Sequence, residues 1–138
     1  MLQLEEDKGI YRKDVLEKFA RDVAESAFML RNLLNRLRGE GKRVVGISAP
    51  AKGNTVLNYC KIGPELIQYM TEKSIIKRGS FTPGMHIPII GEDKLLEDKP
   101  DYGIIFAWNF AAEIMKNNQA FVQAGGKFII PIPTPKIV

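Results

Sequence analysis

Cysteine is almost absent from this chain. The single thiol, Cys60, excludes an internal disulfide framework and fits a reducing compartment. Histidine is as scarce: His86 has no second histidine to join it, and with Cys60 far off in sequence it has no partners for a metal. As a general acid or base it lacks a nominated nucleophile, which leaves a structural or substrate-contacting role. No Ser-His-Asp or Cys-His arrangement stands out. Long hydrophobic runs are missing too, and none approaches the roughly 20 residues that span a bilayer. Met1-Leu2-Gln3-Leu4-Glu5-Glu6-Asp7 has no signal-peptide layout, so a cytoplasmic protein without a membrane partner is expected. Charge of one sign is also lacking. Twenty Lys and Arg against 16 Asp and Glu leave a net charge of +4, too even to argue for nucleic acid without a basic patch interleaved with aromatics. Lys73, Lys77 and Arg78 come closest to a cluster and read as solvated surface, although a small anionic ligand needs only a few such charges.

Two phosphate motifs are absent in a telling way. A Walker A loop ends in Gly-Lys-Ser/Thr, whereas here the order is Lys52-Gly53-Asn54-Thr55, which argues against ATP hydrolysis. The dinucleotide fingerprint fails because Gly46 and Gly53 have no third glycine at the right step.

What the chain does have is 45% hydrophobic residues in 138, enough for one domain with a real core. Its organising stretch runs from Lys42 to Asn58. Val44 to Ala49 is β-branched and apolar around Gly46, which suits a buried parallel strand. Pro50, Lys52, Gly53 and Asn54 then form a breaker cluster, and helical spacing resumes from Thr55 with Asn54 as the expected N-cap. Strand, tight loop and helix N-terminus bring free N–H groups, a helix dipole and an ammonium to one point, a good place for phosphate or another anion.

Before this stretch, residues 1–13 read as an acidic, irregular linker or remnant, and residues 14–138 as the single domain. Val15, Phe19, Val23, Ala27, Leu30, Leu34 and Leu37 recur at steps of three and four, one apolar helix stripe. Asp14 and Glu17 suggest a capping box, and Gly39 or Gly41 a stop. Such a helix of roughly 25 residues would be about 37 Å long, more than a small domain needs. Part of it is expected to brace another domain or another copy of the chain, giving a possible homo-oligomer.

Beyond it, a short helix ends at Cys60 and breaks at Gly63-Pro64. Leu66 to Thr71 reads as a second strand ending at Glu72-Lys73-Ser74. Glu72 falls roughly 20 residues beyond the loop, where doubly wound nucleotide-binding folds put a ribose-binding acid. Ile75 to Ile90 is irregular, with a type II turn at Pro83-Gly84. Glu92 to Glu97 is a short helix or turn, and Asp101 to Ala107 a third strand. One helix from about Ala111 to Gln123 follows, burying Ala111, Ile114, Met115, Ala120 and Val122. Lys127 to Ile132 is a last strand, whose prolines Pro131, Pro133 and Pro135 forbid further central pairing. The alternation predicts an α/β, Rossmann-like three-layer domain with a mostly parallel sheet and a long N-terminal helix. In such sheets ligands bind outside the carboxyl ends of the strands. That rule collects Ser48 to Asn54, Glu72 to Ser74, Trp108-Asn109 and Pro131 to Pro133 on one rim. There Trp108 could stack on a base or sugar, Asn109 bond a hydroxyl or carbonyl, and Lys52 meet a phosphate.

The sequence resembles the C-terminal domain of the sugar C-methyltransferases, S-adenosylmethionine-dependent enzymes acting on deoxysugars linked to nucleoside diphosphates. The carriers are Gly46 to Tyr59, similar to the family's Gly-Ala-Pro-Ala-Lys-Gly-Asn-Thr segment, then Lys77, Gly79, Phe81-Thr82-Pro83-Gly84 and Ile87-Pro88-Ile89. Pro100-Asp101-Tyr102, Trp108-Asn109, Gly125-Gly126-Lys127-Phe128 and Pro131-Ile132-Pro133 complete the likeness. Glu72-Lys73-Ser74 stands where the family usually carries Asp-Arg-Asn. The resemblance implies a nucleotide-sugar-binding domain with Ser48, Pro50, Lys52, Gly53, Asn54, Thr55, Asn58, Glu72, Lys77, His86, Trp108 and Asn109 as substrate contacts. It implies no cofactor in this domain: S-adenosylmethionine and zinc would belong to methyltransferase and zinc-binding domains supplied in cis or in trans, and this chain alone would not transfer methyl groups. The alternative class is a non-enzymatic interaction module that pairs through its N-terminal helix.

Overall fold

The computed structural model describes residues 2–138. Its strands are β1 (Val44–Ile47), β2 (Met70–Glu72), β3 (Ile89–Gly91), β4 (Tyr102–Ile105), β5 (Lys127–Ile130) and β6 (Lys136–Ile137). They form one sheet in the order β3-β2-β1-β4-β5-β6. The first five are parallel and β6 runs antiparallel along β5. The chain winds outward from β1 to β3 and then returns to β4 on the other side of β1, so the strand order reverses between β1 and β4. This is the doubly wound arrangement, whose crevice opens at the carboxyl ends of the two strands flanking the reversal.

The helices are α1 (Leu2–Asp7), α2 (Lys13–Gly39), α3 (Ala51–Cys60), α4 (Lys94–Asp98), α5 (Ala111–Asn117) and α6 (Gln119–Gln123). Two apolar cores, one on each face of the sheet, make the domain three-layered. Leu30, Leu34 and Leu37 of α2 and Leu57 and Cys60 of α3 pack with Ile104, Phe106 and Ile129 on one face. Leu95, Ala111 and Phe121 pack with Val45, Ile47, Ile105 and Phe128 on the other. Neighbours Ile104 and Ile105 go to opposite cores, as the strand period of two requires.

The stop near Gly39 and Gly41 holds: α2 ends at Gly39, and Gly41 takes φ +75°. Other local readings are corrected. Met1 lies outside the described residues, and Leu2 to Asp7 is a short helix rather than irregular chain. The residue before α2 is Arg12, which makes no side-chain cap, and Asp14 pairs with Arg12 instead of capping. Leu66 and Ile67 sit in a turn with both amides on the Gly63 carbonyl, so β2 begins only at Met70. A strand, β3, lies at the end of the stretch read as wholly irregular. The helix after β4 is broken: Asn118 Nδ2 donates to the Ile114 carbonyl at 2.7 Å, competing with the backbone ladder. The break changes the helical phase, so Phe121 is buried while Ala120 and Val122 are exposed. The prolines after β5 do not end pairing either, since Lys136–Ile137 adds an edge strand beyond them.

A charged network clips the amino end of the sheet. The Arg43 guanidinium donates to the Asp98 carboxylate, to the Asp98 carbonyl at 3.1 Å and to Gln68 Oε1 at 3.1 Å. Tyr69 OH donates to Asp98 Oδ2 at 3.0 Å. Burial, then the Asp98 carboxylate, push the phenol's pKa well up, so it stays a donor. Arg43 N–H also donates to Asp101 Oδ2 at 2.8 Å. The segments leading into β1, β2 and β4 are thereby tied together at the end opposite the crevice. No helix among the described residues is long and apolar enough to cross a membrane.

Candidate functional site

At the β1/β4 reversal the segments that follow the two strands come together. After β1, Ser48 takes a left-handed backbone, φ +68°, a conformation that costs a non-glycine residue about 1 kcal/mol or more and draws attention where it occurs. Its N–H donates to Thr71 Oγ1 at 3.2 Å, and that hydroxyl donates on to the Gly46 carbonyl at 3.3 Å. Fully buried Thr71 therefore sets the bend. Sequence reading overlooked Thr71, although a threonine inside an apolar strand, one residue from its carboxyl end, was the available signal.

The helix begins sooner than expected. Pro50, extended and without an N–H to leave unsatisfied, precedes it, and α3 starts at Ala51. Asn54 is thus not the N-cap, and Lys52 and Gly53 belong to the first turn instead of a loop. Gly53 N–H closes on the Pro50 carbonyl at 3.0 Å. The amides of Ala51 and Lys52 have no acceptor among the described residues, as expected of a first helical turn. Gly53 is where bulk is excluded: a Cβ there would stand 2.9 Å from Phe106 Cβ, so the missing side chain lets the start of α3 rest on the end of β4.

That close approach carries Lys52 across to the 3₁₀ turn after β4, residues Trp108–Phe110. Its Nζ lies 4.5 Å from the centre of the Trp108 ring and donates to Asn109 Oδ1. Lys52 is half-buried and has no carboxylate partner among the described residues. An ammonium, an aromatic face, an amide side chain and two open N–H groups thus meet at the reversal point.

A second group lies beside it. Glu72 Oε1 accepts the amides of Lys73 at 2.9 Å and Ser74 at 3.1 Å, and Lys77 Nζ approaches Oε2 to 3.5 Å. Partial burial by itself would push the Glu72 carboxyl up. The amides of Ser74, Lys73 and Ala49 and the Lys77 ammonium outweigh burial and hold it below the usual carboxylate range. Lys77 Nζ also donates to the Ala49 carbonyl at 3.2 Å. Glu72 and Lys77 therefore engage each other and the β1–α3 turn.

Asn58 works from within α3. Its Nδ2 donates to the Asn54 carbonyl at 2.7 Å and to the Pro83 carbonyl at 3.0 Å, fastening the Pro83-Gly84 turn over the helix. Gly84 has φ +84°, as the type II reading requires. The remaining candidates stand apart. Thr55 is exposed and lines an apolar groove beside α2. His86 is exposed, with φ +56°, and its N–H donates to the Thr82 carbonyl at 3.0 Å. No side-chain hydrogen bond among the described residues joins it to Lys52, Glu72 or Trp108.

The model of the C-methyltransferase C-terminal domain matches residues 1–133 of this chain. The chain is also similar to the C-methyltransferase NovU of Streptomyces niveus, 34% identical over 138 residues, covering all of this chain and 33% of that protein.

Proposed function

The chain belongs to the C-methyltransferase C-terminal domain family, and from that premise we propose that it holds a nucleoside diphosphate sugar at the carboxyl ends of β1, β2 and β4. The methyl-transfer chemistry is then supplied by a domain outside this chain, which spans about a third of the relative it matches. The observation that carries the reading is the half-buried Lys52 ammonium, poised over Trp108 and on Asn109 beside the open first turn of α3. A diphosphate suits the ammonium and the two free amides. A base or sugar ring suits the Trp108 face, and Asn109 can turn from Lys52 to a ligand hydroxyl or carbonyl. Glu72, kept ionised by its amides and Lys77, suits sugar hydroxyls.

S-adenosylmethionine and zinc belong elsewhere in this scheme. Structural zinc takes four thiolate or imidazole ligands. One buried Cys60 and one exposed His86 do not fit that set, and no group of three metal-binding side chains comes together among the described residues.

Trp108 is the sole tryptophan, so its fluorescence reports directly on the crevice. In the intact methyltransferase, a nucleoside diphosphate sugar is expected to change Trp108 emission, with Lys52→Ala weakening binding about 10-fold, the worth of one charged hydrogen bond. No change in emission at millimolar ligand, together with unmoved Ala51 to Asn54 amide resonances, would overturn the reading.

A further inference from the structure

Four helices return the chain to the amino end of the sheet, and each is followed by a lysine. These are Lys42 after α2, Lys61 after α3, Lys99 after α4 and Lys127 after α6. Strand register draws them together. Asp101 N–H donates to the Arg43 carbonyl and Lys127 N–H to the Asp101 carbonyl, both at 3.0 Å, so the residues entering β1, β4 and β5 form one row with about 4.8 Å between strands. Lys61 and Lys99 flank that row, because α3 packs in one core layer and α4 in the other. All four side chains are exposed, and none forms an ion pair among the described residues. The nearby acids are occupied: Asp98 and Asp101 by Arg43, Glu97 by Lys94, and Glu40 by Arg36 at 3.9 Å. Glu65 turns back on the Gly63 amide. The face is left positive.

Helix dipoles do not account for the arrangement. A dipole favours cations only near the last turn, and Lys42 and Lys127 lie three and four residues past Gly39 and Gln123, where α2 and α6 end. Lys61 and Lys99 do sit at helix ends, but with left-handed backbones, φ +55° and +48°, where glycine is the usual and less strained residue. Gly41 and Gly125 take such turns after α2 and α6, at φ +75° and +97°. After α3 and α4 a lysine stands there against the conformational preference.

We infer that the amino end of the sheet is a docking face for a protein that presents a carboxylate-rich surface. Charge complementarity selects this occupant, since the unpaired ammoniums stand on four separate connections across three layers, a spread that one small anion does not span. Two exposed apolar residues add to the choice. Leu96 and Val122, 47% and 40% exposed, belong to α4 and α6, which pack side by side and lead to Lys99 and Lys127. Charge joined to apolar area is the make-up of a protein interface, whereas nucleic-acid interfaces are more polar.

The test reads the anisotropy of a fluorescein-labelled decaglutamate peptide against the intact methyltransferase at about 50 mM salt, where surface charges are weakly screened. Lys61→Gly combined with Lys99→Gly removes two of the four charges and relieves two left-handed turns. Binding is expected to weaken about 10-fold, the lower end of what electrostatic steering supplies, while thermal unfolding stays at or above the parent's temperature. Lys8→Gln combined with Lys136→Gln is the control. Both lysines are exposed and lie away from this end, Lys8 before the start of α2 and Lys136 opposite Ile130 at the carboxyl end of β5. The same two charges are lost, and binding should not change. No binding by the parent, or equal loss in the two double variants, overturns the inference. So does a lower unfolding temperature in the glycine pair, since the lysines then serve the fold. If the glycine pair weakens binding to duplex DNA or to phosphatidylserine vesicles and leaves peptide binding untouched, the occupant is another one and the inference falls. Each outcome is independent of whether Lys52 and Trp108 hold a nucleotide sugar.

Discussion

Two glycines in helices should respond to the same substitution with opposite sign. Gly39, the last residue of α2, has nothing within 4 Å of where a Cβ would be. Gly39→Ala therefore gains only the entropic benefit, about 0.4–1 kcal/mol. Gly53, in the first turn of α3, would gain a similar amount, but its Cβ would stand 2.9 Å from Phe106 Cβ and 3.3 Å from Phe106 Cγ. Phe106 is fully buried, and its Cβ is tied to the backbone at the end of β4, so it cannot swing aside. Overpacking of this sort costs about 1–3 kcal/mol. The cost exceeds the gain, and Gly53→Ala should lose ~1 kcal/mol net, a fall in Tm of about 4 °C for a domain of this size. Urea unfolding followed by circular dichroism measures both variants. If Gly53→Ala matched or exceeded the parent while Gly39→Ala gained stability, the contact between α3 and β4 would not be tight, and the argument that this approach delivers Lys52 to Trp108 would fail with it. A companion readout is Trp108 emission without ligand, which should change in Gly53→Ala and not in Gly39→Ala.

Two further outcomes follow from single contacts. Glu72 and Asp98 both titrate low in the folded protein, Asp98 chiefly through its hydrogen bond from Arg43. A depressed folded pKa means that the unfolded chain binds more protons, so this stability is present above the unfolded carboxylate value of about 4 and is lost as pH falls through the folded values. The urea midpoint should drop across that window and drop less steeply in Glu72→Gln and Arg43→Ala. The Arg43–Asp98 pair is 38% and 33% exposed, so its share should stay within about 1 kcal/mol. An unchanged pH slope in both variants would refute the assignment. Gly84→Ala sets a side chain at φ +84° and against the Asn58 amide. It should cost about 1–3 kcal/mol and release the turn, read as faster limited proteolysis between Gly79 and Pro88.

The parts of this fold that were legible in sequence are those where local chemistry and packing agree. Val44 to Ile47 is apolar throughout because β1 is covered on both faces, and the α2 stripe announces itself by period alone. The start of α3 is not legible locally, because glycine and proline read as breakers. Here Pro50 marks the helix start, and Gly53 is retained by a packing demand from Phe106 that no local pattern expresses. Three-residue β3 follows Pro88 and is defined by pairing with β2, a long-range fact. The phase of the last helix turned on one side-chain bond from Asn118. On the rim, residue types pointed to Lys52, Trp108 and Asn109, which do meet. They could not reveal that Glu72 and Lys77 would neutralise each other against the β1–α3 turn, or that His86 and Thr55 would stand apart.

The two ends of this sheet differ in how their charges are partnered. At the amino end the Arg43 guanidinium faces the Asp98 carboxylate, with Gln68 and Tyr69 completing the hydrogen bonds. At the carboxyl end Ser48 is strained, the first amides of α3 are open, and Lys52 leans on a ring and a neutral amide rather than a carboxylate. A cation held only by a ring and a neutral amide leaves room for a stronger, charged partner. A turn with that imbalance gains more from binding than a neutralised one would, because the ligand's charge replaces a weak partner and not a strong one.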